Sequence, residues 1–469
     1  MSNANRIHSY HGVALAGALL AASGLAHAQG AVAPPPDNGA LTWHGITLSG
    51  AVDVGLQYQP HAAPVSDYYA AGGYNLIQAD SLRAITGITP NNLSQSNITL
   101  SGIEPLYQGF SALFKAQTLF QPNSGNLTDG VKSLVLNNGK AAKAQNNGQD
   151  SDAAGQAFAG ALYGGVTSPT FGTITYGWQT TLLSDGVVQY DPNAGSYAFS
   201  LVGQSGTARG GGDTQDKRFK NSVKYFVNYS GVHFGAMYKS ADDGGGTANS
   251  AYQFQLGGNF AGLSVDAIYS KVYDAISVAA LSAAQVLDLQ TVGNASRGYS
   301  ISNSVSGTIS DNTAYAILAS YGLGPVKLFG AYEHVKYANP STGLPVGFID
   351  VGGYVLAFVT NTKYTQDKNQ SIYWAGAKWT VIPKLDVTAA FYGYKVDAYQ
   401  SGDVAPCSTN AHGNCSGTES VGSIDAVYHY TKRFDGYIGA MYSTVSDGLA
   451  SGFLNTSTIN PTVGVRFKF

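Results

Sequence analysis

The strongest constraint on the fold of this chain is an alternation of apolar and polar side chains with a period of two residues. The final ten residues, NPTVGVRFKF, show the pattern most clearly. One face of this segment is apolar and carries Val463, Val465, Phe467 and Phe469. The opposite face is polar and includes two bases, Arg466 and Lys468. Because successive side chains of a strand point to opposite faces, the pattern predicts a β-strand that continues up to Phe469.

The same alternation recurs in sixteen segments, and the connections between them alternate in length. The segments begin near residues 46, 97, 109, 157, 172, 219, 232, 250, 263, 312, 326, 370, 384, 418, 434 and 460. Short turns such as 230–231 alternate mostly with long connections such as 59–96, 119–156 and 180–218. A soluble β-sandwich is the alternative, but it gives no reason for sorting its loops by length. The pattern therefore predicts an all-β fold, a sixteen-stranded antiparallel transmembrane β-barrel.

Closure of such a barrel follows from the properties of lipid. Hydrocarbon offers no hydrogen-bond partner to a bare strand edge, so an open sheet would leave backbone groups unsatisfied at both edges. We therefore expect the first strand, 46–58, to pair with the last, 459–469. Sixteen strands are close to the number at which a water-filled lumen stays open.

The first 28 residues differ in character from the rest of the chain. Arg6 precedes a short apolar run, VALAGALLAA at 13–22, and Ala26 and Ala28 form a small-x-small pattern. These features predict a cleaved secretory signal peptide over 1–28, with a buried N-terminal helix as the alternative. We expect residues 29–45 to form an N-terminal extension and residues 46–469 to form the barrel domain.

Composition and charge exclude several classes of protein. Charged residues make up 11% of the chain, against about 25% in an average soluble protein. After residue 28 no apolar run reaches the length of a transmembrane helix. Acidic residues number 28 and basic residues 25, so nothing indicates nucleic-acid binding. No cofactor and no metal site is expected.

The two cysteines, Cys407 and Cys415, lie in the segment SGDVAPCSTNAHGNCSG. Its Gly, Pro, Ser and Asn residues predict a loop. In an oxidising compartment a disulfide between the two cysteines is the favoured interpretation, and closing so small a ring would contribute about 2–3 kcal/mol. A metal-binding pair is the weaker alternative, because only His412 is nearby.

Several stretches resemble the strands of a known family in their order and spacing. They are ITLSGAVDVGLQY (46–58), SNITLSGIEPLYQGFSALFKAQ (96–117), FGTITYGWQ (171–179), KNSVKYFVNY (220–229) and the terminal VGVRFKF. The chain resembles the Gram-negative general porins, trimeric sixteen-stranded channels of the outer membrane. The resemblance implies a homotrimer embedded in outer-membrane lipid, through which ions and small hydrophilic solutes diffuse passively. It also implies that Phe469, with Phe467 and Val465, is the signal read by the barrel-assembly machinery.

In this family the third long loop folds into the lumen and narrows it, and by order that loop is 180–218 here. The resemblance implies that acidic loop residues face bases on the wall, which creates a transverse field across the pore. The acidic loop residues are Asp185, Asp191, Asp213 and Asp216. The basic candidates, from the loop and from the inward face predicted by alternation, are Lys115, Arg218, Lys220, Lys224 and Arg466, with Lys468 near the membrane edge. For each of these bases the alternative is a solvated charge in a wide channel mouth.

The chain departs from the family pattern at the wall. Relatives often carry two inward arginines on the second strand, where this chain has Asn97 and Ser101, and an arginine on the fifth, where it has Trp178. Replacing two wall bases with neutral polar groups should weaken any preference for anions. We therefore expect a weakly selective pore, neutral or mildly cation-preferring.

Three other functions compete with a general diffusion pore. One is a channel dedicated to a sugar or an organic acid, although Tyr392 and Tyr394 alone do not make an aromatic row. Another is an adhesin or receptor acting through its long loops, which are rich in Gly, Ser and Asn. The third is an enzyme, which we do not expect, because no histidine after residue 28 lies in a recognisable nucleophile motif.

Overall fold

The structure is a computed structural model. It describes residues 41–62, 76–77, 83–123, 125, 127, 157–204, 217–241, 247, 249–278, 307–339, 350–351, 354–355, 367–398, 416–450 and 454–469.

Strands dominate this part of the chain. In chain order they are β1 Leu41–Trp43, β2 Ile46–Ala62, β3 Arg83–Pro90, β4 Ser96–Pro105, β5 Ser111–Phe120, β6 Ala161–Ser168, β7 Gly172–Thr180, β8 Arg218–Tyr229, β9 Val232–Lys239, β10 Ala251–Phe260, β11 Leu263–Val278, β12 Gly307–Leu323, β13 Val326–Ala338, β14 Asp350–Val351, β15 Tyr354–Val355, β16 Lys368–Ile382, β17 Leu385–Val396, β18 Gly417–His429, β19 Phe434–Asp447 and β20 Ser457–Lys468. The helices are α1 Leu182–Tyr190, α2 Leu201–Gln204 and a 3₁₀ turn, Gly448–Ala450.

Antiparallel pairing joins these strands into a closed barrel of sixteen positions, except for β14 and β15, which pair only with each other. Each position coincides with one of the sixteen segments predicted by alternation. The ring closes between β2 and β20, which pair from Ala51 with Lys468 to Gln57 with Thr462. The predicted pairing of the first and last strands is therefore confirmed, and the closed ring leaves no edge exposed to lipid.

Two strands of the barrel sheet, β1 and β3, are additional to the sixteen segments predicted from the sequence. β3 and β4 share one position in the ring, because β3 pairs with residues 54–62 of β2 and β4 pairs with residues 46–51. The connection predicted over 59–96 thus contains a strand. β1 folds back on β2 as a hairpin, with Leu41 opposite Leu48, so the expected N-terminal extension includes a strand at its end.

The last strand shows how the alternation maps onto the barrel wall. Val463, Val465 and Phe467 are 47%, 40% and 44% exposed on the outer surface, whereas Thr462 and Arg466 are buried on the inner side. Apolar side chains that are exposed along a mid-strand band match a surface that faces hydrocarbon. The outer face of the barrel is therefore the lipid face.

The tight turns at one end of the barrel use left-handed backbone. Ser230 and Gly231 have φ of 51° and 84°, and Ala261 and Gly262 have φ of 48° and 87°. Two consecutive central residues with positive φ define the turn whose twist matches that of the paired strands. These two-residue connections lie where the sequence predicted short turns.

The lumen is not uniformly polar, and this is the main difference from the two-faced strands that the alternation indicates. The inward residues of β12, β16 and β17 include several apolar side chains. They are Ala314, Ala316, Leu318, Ile372, Trp374 and Tyr392, all buried in one apolar cluster with residues of α1. These side chains are apolar because they pack against the loop that fills this side of the lumen.

Candidate functional site: the constriction of the lumen

Helix α1 begins the loop between β7 and β8 that crosses the lumen. Thr181 caps it, since its side-chain oxygen accepts a hydrogen bond from the amide of Ser184 at 3.0 Å. Asp185 lies in the first turn, where the helix dipole favours a negative charge. The local sequence therefore starts the helix directly after β7 and brings Asp185 close to the wall that the loop has just left.

The apolar face of α1 packs closely against the far wall. Leu182, Leu183 and Val187 are fully buried. A Cβ at Gly186 would lie 2.4 Å from Ile268 Cδ1 and 2.8 Å from Leu318 Cδ1, so glycine permits this approach. Burial of these side chains fixes the height and direction of the loop in the lumen.

The end of α1 is fixed by polar contacts with the same wall. The hydroxyl of Tyr190 donates to Asp266 Oδ2 at 2.5 Å. The indole Nε1 of Trp374 donates to the carbonyl oxygen of Tyr190 at 2.9 Å. A buried acceptor and a buried donor of the wall are thus satisfied by the loop itself.

Asp191 organises the turn that follows α1. Its carboxylate accepts hydrogen bonds from Tyr392 Oη at 2.6 Å, from the amide of Gly195 at 2.7 Å and from the amide of Asn193 at 3.2 Å. Burial raises the pKa of Asp191, and these donors oppose that shift. The carboxylate therefore serves as a buried anchor of the loop and not as a charge exposed to the passage.

On the near wall, three basic residues, Lys115, Arg218 and Lys224, lie around Asp185 of the loop. Lys224 of β8 forms a buried ion pair with Asp185, and its Nζ also donates to the carbonyl oxygen of Thr180 at 3.1 Å. Arg218 Nε donates to the carbonyl oxygen of Gly160 at 2.6 Å. Lys115 of β5 lies close enough to Arg218, Lys224 and Asp185 to interact with them electrostatically.

A polar cavity of about 90 Å³ lies between this wall and the loop. Asn91 and residues 93–95 bound one side of it, Asn97 and Gln117 form part of the wall, and Lys217 and Arg218 bound the other side. The loop contributes Asp185, residues 194–195 and Tyr197. This cavity, called the opening below, has a basic side and an amide-rich side.

Comparison with known protein families identifies the barrel. A family model described as Gram-negative porin matches residues 14–448. The chain belongs to the Gram-negative porin family. It is an outer-membrane channel for the passive diffusion of small solutes. No curated protein sequence matches this porin.

Solved structures of other porins share the fold. The anion-selective porin from Comamonas acidovorans superposes with a TM-score of 0.58 at 18% identity, covering 90% of this chain and 99% of that one. The trimer form of OmpT from Vibrio cholerae gives 0.53 at 14% identity over 90% and 99%. OmpF from Salmonella typhi, in complex with daunomycin, gives 0.52 at 13% identity over 92% and 100%. In the described part of this porin, no helix has the length and apolar character to cross a bilayer.

Several predicted residues of this porin lie on the inner wall. Asn97 is buried, and its Oδ1 accepts from Thr99 Oγ1 at 3.0 Å and from Gln117 Nε2 at 3.2 Å. Ser101 faces the lumen further along β4, directly opposite Lys115. Trp178 instead shares the outer face with Ile174 and Tyr176, opposite Leu162 of β6, and its Nε1 donates to the carbonyl oxygen of Ala159 at 3.0 Å. Neutral side chains thus occupy the two inner-wall positions where the resemblance implies arginines.

Arg466 lies on the inner wall and pairs with an acid of the wall. Its Nη2 and Nε both donate to Asp435 Oδ2, at 2.7 and 3.0 Å. Lys468 reaches the same oxygen at 3.0 Å, and His429 Nδ1 lies 2.7 Å from the other one. Arg466 is therefore neutralised by the wall itself, and its Nη1 also donates to Ser94 Oγ at 3.4 Å.

Lys220 does not share the face of Lys224, contrary to the prediction from strict alternation. A β-bulge interrupts β8, where the register changes between Gly177 opposite Ser222 and Gln179 opposite Phe219. The extra residue turns Phe219 inward and leaves the side chain of Lys220 exposed. The alternation could not reveal this, because a single extra residue inverts every assignment beyond it.

Four predicted residues of this porin, Asp213, Asp216, Cys407 and Cys415, lie outside the described residues.

The predicted assembly signal lies at the end of the closing strand, where β20 includes Val465 and Phe467 and Phe469 follows it directly. Phe469 exchanges both backbone hydrogen bonds with Gly50, at 2.8 and 3.0 Å, and its ring stacks on that of Phe467 at 6.3 Å. Val465 and Phe467 face lipid.

Sequence reasoning missed Asp53 and the segment 91–95. The segment lies inside the long connection predicted over 59–96, and in the sequence Asp53 is one of several polar residues of the alternating strand 46–58. The available signal was the Pro90-Asn91-Asn92 sequence just before the next alternating run, because Pro and Asn mark turns.

Proposed function

We propose that this porin is a weakly selective diffusion channel whose constriction gives small anions a modest advantage over cations. The observation that carries the proposal is the charge around the opening. Of the described charged residues that line the cavity, Lys217 and Arg218 are basic and Asp185 is acidic. Lys224 pairs with Asp185, Lys115 lies close to both, and the nearby acids Asp53 and Asp191 are buried and hydrogen-bonded. A mild anion preference differs from the neutral or mildly cation-preferring pore expected from Asn97 and Ser101, while the weak selectivity is kept.

The ion preference depends on the width of the opening. Exposed charges are screened over about 10 Å at 0.1 M salt. A permeating ion in a narrow opening passes well within that distance of the bases, so it experiences their field. The preference stays modest because Asp185 neutralises Lys224, and because Asn97 and Gln117 add no charge to the wall.

The reversal potential across a planar bilayer in a KCl gradient tests this proposal. We expect a small potential of the sign that reports chloride preference. Arg218→Gln should move the potential toward cation preference. Lys395→Gln is the matched control, because the Lys395 side chain is 60% exposed and pairs only with Asp397 among the described residues. Strong cation selectivity in the wild type, or equal shifts in both variants, would contradict the proposal.

A channel with affinity for small organic acids is the second candidate. Gln95 Nε2 borders the cavity and has no hydrogen-bond partner among the described residues. With Arg218 nearby, it offers a donor to a carboxylate. A dedicated sugar channel gains no support from Tyr392 and Tyr394, because both rings are buried. Addition of succinate distinguishes a general diffusion pore from a channel with a site for organic acids. A binding site predicts that succinate blocks the chloride current in a saturable manner, whereas an unchanged chloride current would exclude such a site.

We propose a homotrimer as the assembly. The support is the trimer form reported for OmpT of Vibrio cholerae, which shares this fold. Native mass spectrometry of the detergent-solubilised protein should give three times the mass of one chain. A monomer that conducts at full amplitude would exclude the trimer as the functional unit.

Export and maturation complete the proposal. Residues 1–28 are removed during secretion, residues 46–469 form the barrel domain, and Cys407 bonds to Cys415. Edman sequencing of protein taken from outer membranes should begin at Gln29, and thiol labelling should fail without reductant. A retained N-terminus or two reactive thiols would contradict the respective statement.

Phe469, Phe467 and Val465 are proposed as the assembly signal. The support is their place in the closing strand, where Phe469 pairs with Gly50. Removing Phe469 should lower the amount of folded trimer in the outer membrane without lowering synthesis. An unchanged amount of assembled protein would exclude this role.

A further inference from the structure

The second position of the barrel contains an insertion that projects into the lumen. On β2, Val54 pairs with Pro90 and Ala51 pairs with Asn97. Six residues, 91–96, therefore face only Val52 and Asp53. The surplus chain cannot remain in the ladder, so it leaves the wall. Asn91 begins the departure with φ of 62°, a conformation that asparagine tolerates better than most residues.

Asp53 lies directly opposite this insertion and holds it. Its side chain is fully buried, and one carboxylate oxygen accepts from the amides of Leu93 at 2.8 Å and Ser94 at 3.0 Å. The other accepts from Tyr437 Oη at 2.7 Å. The backbone of Asp53 binds the two ends of the insertion, at the amide of Asn91 and at Ser96 Oγ. Hydrogen bonds that a carboxylate accepts are stronger than hydrogen bonds between neutral groups.

The insertion in turn holds the constriction loop. The carbonyl oxygen of Asn92 accepts from the amide of Ala198 at 3.1 Å and from Ser196 Oγ at 2.7 Å. Asn92 Nδ2 donates to Tyr437 Oη at 2.9 Å. The same insertion lines the polar cavity with Leu93, Ser94 and Gln95, opposite Lys217 and Arg218.

We propose that the segment 91–95 is a second constriction element, and that Asp53 is the positioning residue through which it sets the size limit of the channel. The loop 180–218 narrows the lumen from one side, and the segment narrows the remaining passage from the other. Without the Asp53 carboxylate, the amides of Leu93 and Ser94 lose their acceptor. The segment then withdraws toward the wall, and the passage widens.

The test compares Asp53→Ala with Asp425→Ala in reconstituted trimers. Asp425 is the matched control, because it is also a buried inward aspartate but has no hydrogen bond to the segment or the loop among the described contacts. Liposome swelling with neutral sugars of increasing size reports the size limit without influence of charge. Heat stability of each trimer is measured in parallel to separate widening from loss of the fold.

We expect Asp53→Ala to admit larger sugars and to raise the flux near the size limit on the order of two-fold, since pore diameter governs the passage of neutral solutes. Asp53→Asn keeps one acceptor oxygen and should widen the pore less. Asp425→Ala should match the wild type. An unchanged size limit in folded Asp53→Ala, or equal widening in the control, would overturn the proposal.

A further variant decides the matter if Asp53→Ala fails to assemble. Tyr437→Phe removes the hydroxyl that links Asp53 with Asn92 but keeps the ring that packs edge-on against Phe199 at 6.4 Å. We expect the same direction of change with smaller size. A Tyr437→Phe trimer with the size limit of the wild type would then overturn the proposal.

Discussion

At the scale of single residues, the constriction depends on buried charges that are matched by specific partners. Asp185 and Lys224 are both nearly inaccessible to solvent, and each is the other's counter-charge. Removing water from two charges is costly, and their mutual attraction repays that cost only while both are present. The pair therefore constrains the position of the loop more than it adds to the total stability.

A double-mutant cycle tests the pair. Lys224→Met leaves Asp185 as a buried unpaired charge and should lower the free energy of unfolding by about 3–5 kcal/mol. The double variant Lys224→Met, Asp185→Leu should recover most of that loss, because no charge is then left unpaired. Urea unfolding in detergent measures each value. Equal losses in the single and double variants would show that the unpaired Asp185 charge does not lower the stability.

Asp191 predicts a specific dependence on pH. Burial raises its pKa in the folded state, so the folded protein holds this proton more tightly than the unfolded chain does. The stabilising contribution is fully present below the unfolded pKa of about 3.9 and is lost as the pH rises through the folded pKa. Asp191→Asn cannot ionise. The unfolding free energy of the variant, minus that of the wild type, should therefore increase with pH in this window.

The difference between the unfolding free energies of variant and wild type contains its own control. The other carboxylates titrate in both proteins, so their contributions cancel in this difference. Urea unfolding at a series of pH values gives the two curves. A difference that stays constant or falls with rising pH would show that the pKa of Asp191 is not raised in the folded protein.

At the scale of elements, α1 is fixed in the lumen by an apolar contact that is unusual for a channel interior. Gly186 permits the helix to approach Ile268 and Leu318 closely. The inward face of β12 is apolar at this level, with Leu318 fully buried. The position of the constriction loop thus follows from core packing of the ordinary kind.

Gly186→Val should disturb that packing. Both nearest atoms are ends of flexible side chains, so we expect partial accommodation and a loss of about 1–3 kcal/mol typical of overpacking. The loop should become less firmly held, which single-channel recording would detect as added current noise. Gly330→Val is the control, because no atom lies within 4 Å of a Cβ placed there. Equal noise in the two variants would contradict this account.

The elements also show what the sequence could reveal and what it could not. Alternation predicted all sixteen ring positions, because each strand must present an apolar face to lipid. It misplaced Lys220, because the bulge in β8 breaks the period. It could not show that Trp374 and Tyr392 pack under the loop. In a sequence, an apolar residue at an inward position cannot be distinguished from a break in the alternation. The contacts of Asp53 with residues 93–94 and with Tyr437 join distant parts of the chain. No local sequence pattern reveals such contacts.

At the scale of the whole molecule, the barrel divides into two functional sides. One side of the lumen is filled by α1 and the apolar residues of β12, β16 and β17. The other side keeps a polar opening between the loop and residues 91–95. This division explains how a barrel of sixteen strands forms a narrow channel. The width of the passage is set by two inserted segments and not by the wall.

Single-channel recording of the purified, reconstituted protein tests this account most directly. A closed barrel with one narrow polar opening per chain predicts discrete, ohmic current steps in KCl, each far smaller than the full cross-section of a sixteen-stranded barrel would carry. A protein that inserts into the bilayer but passes no current, or one that conducts as an unobstructed barrel, would contradict it.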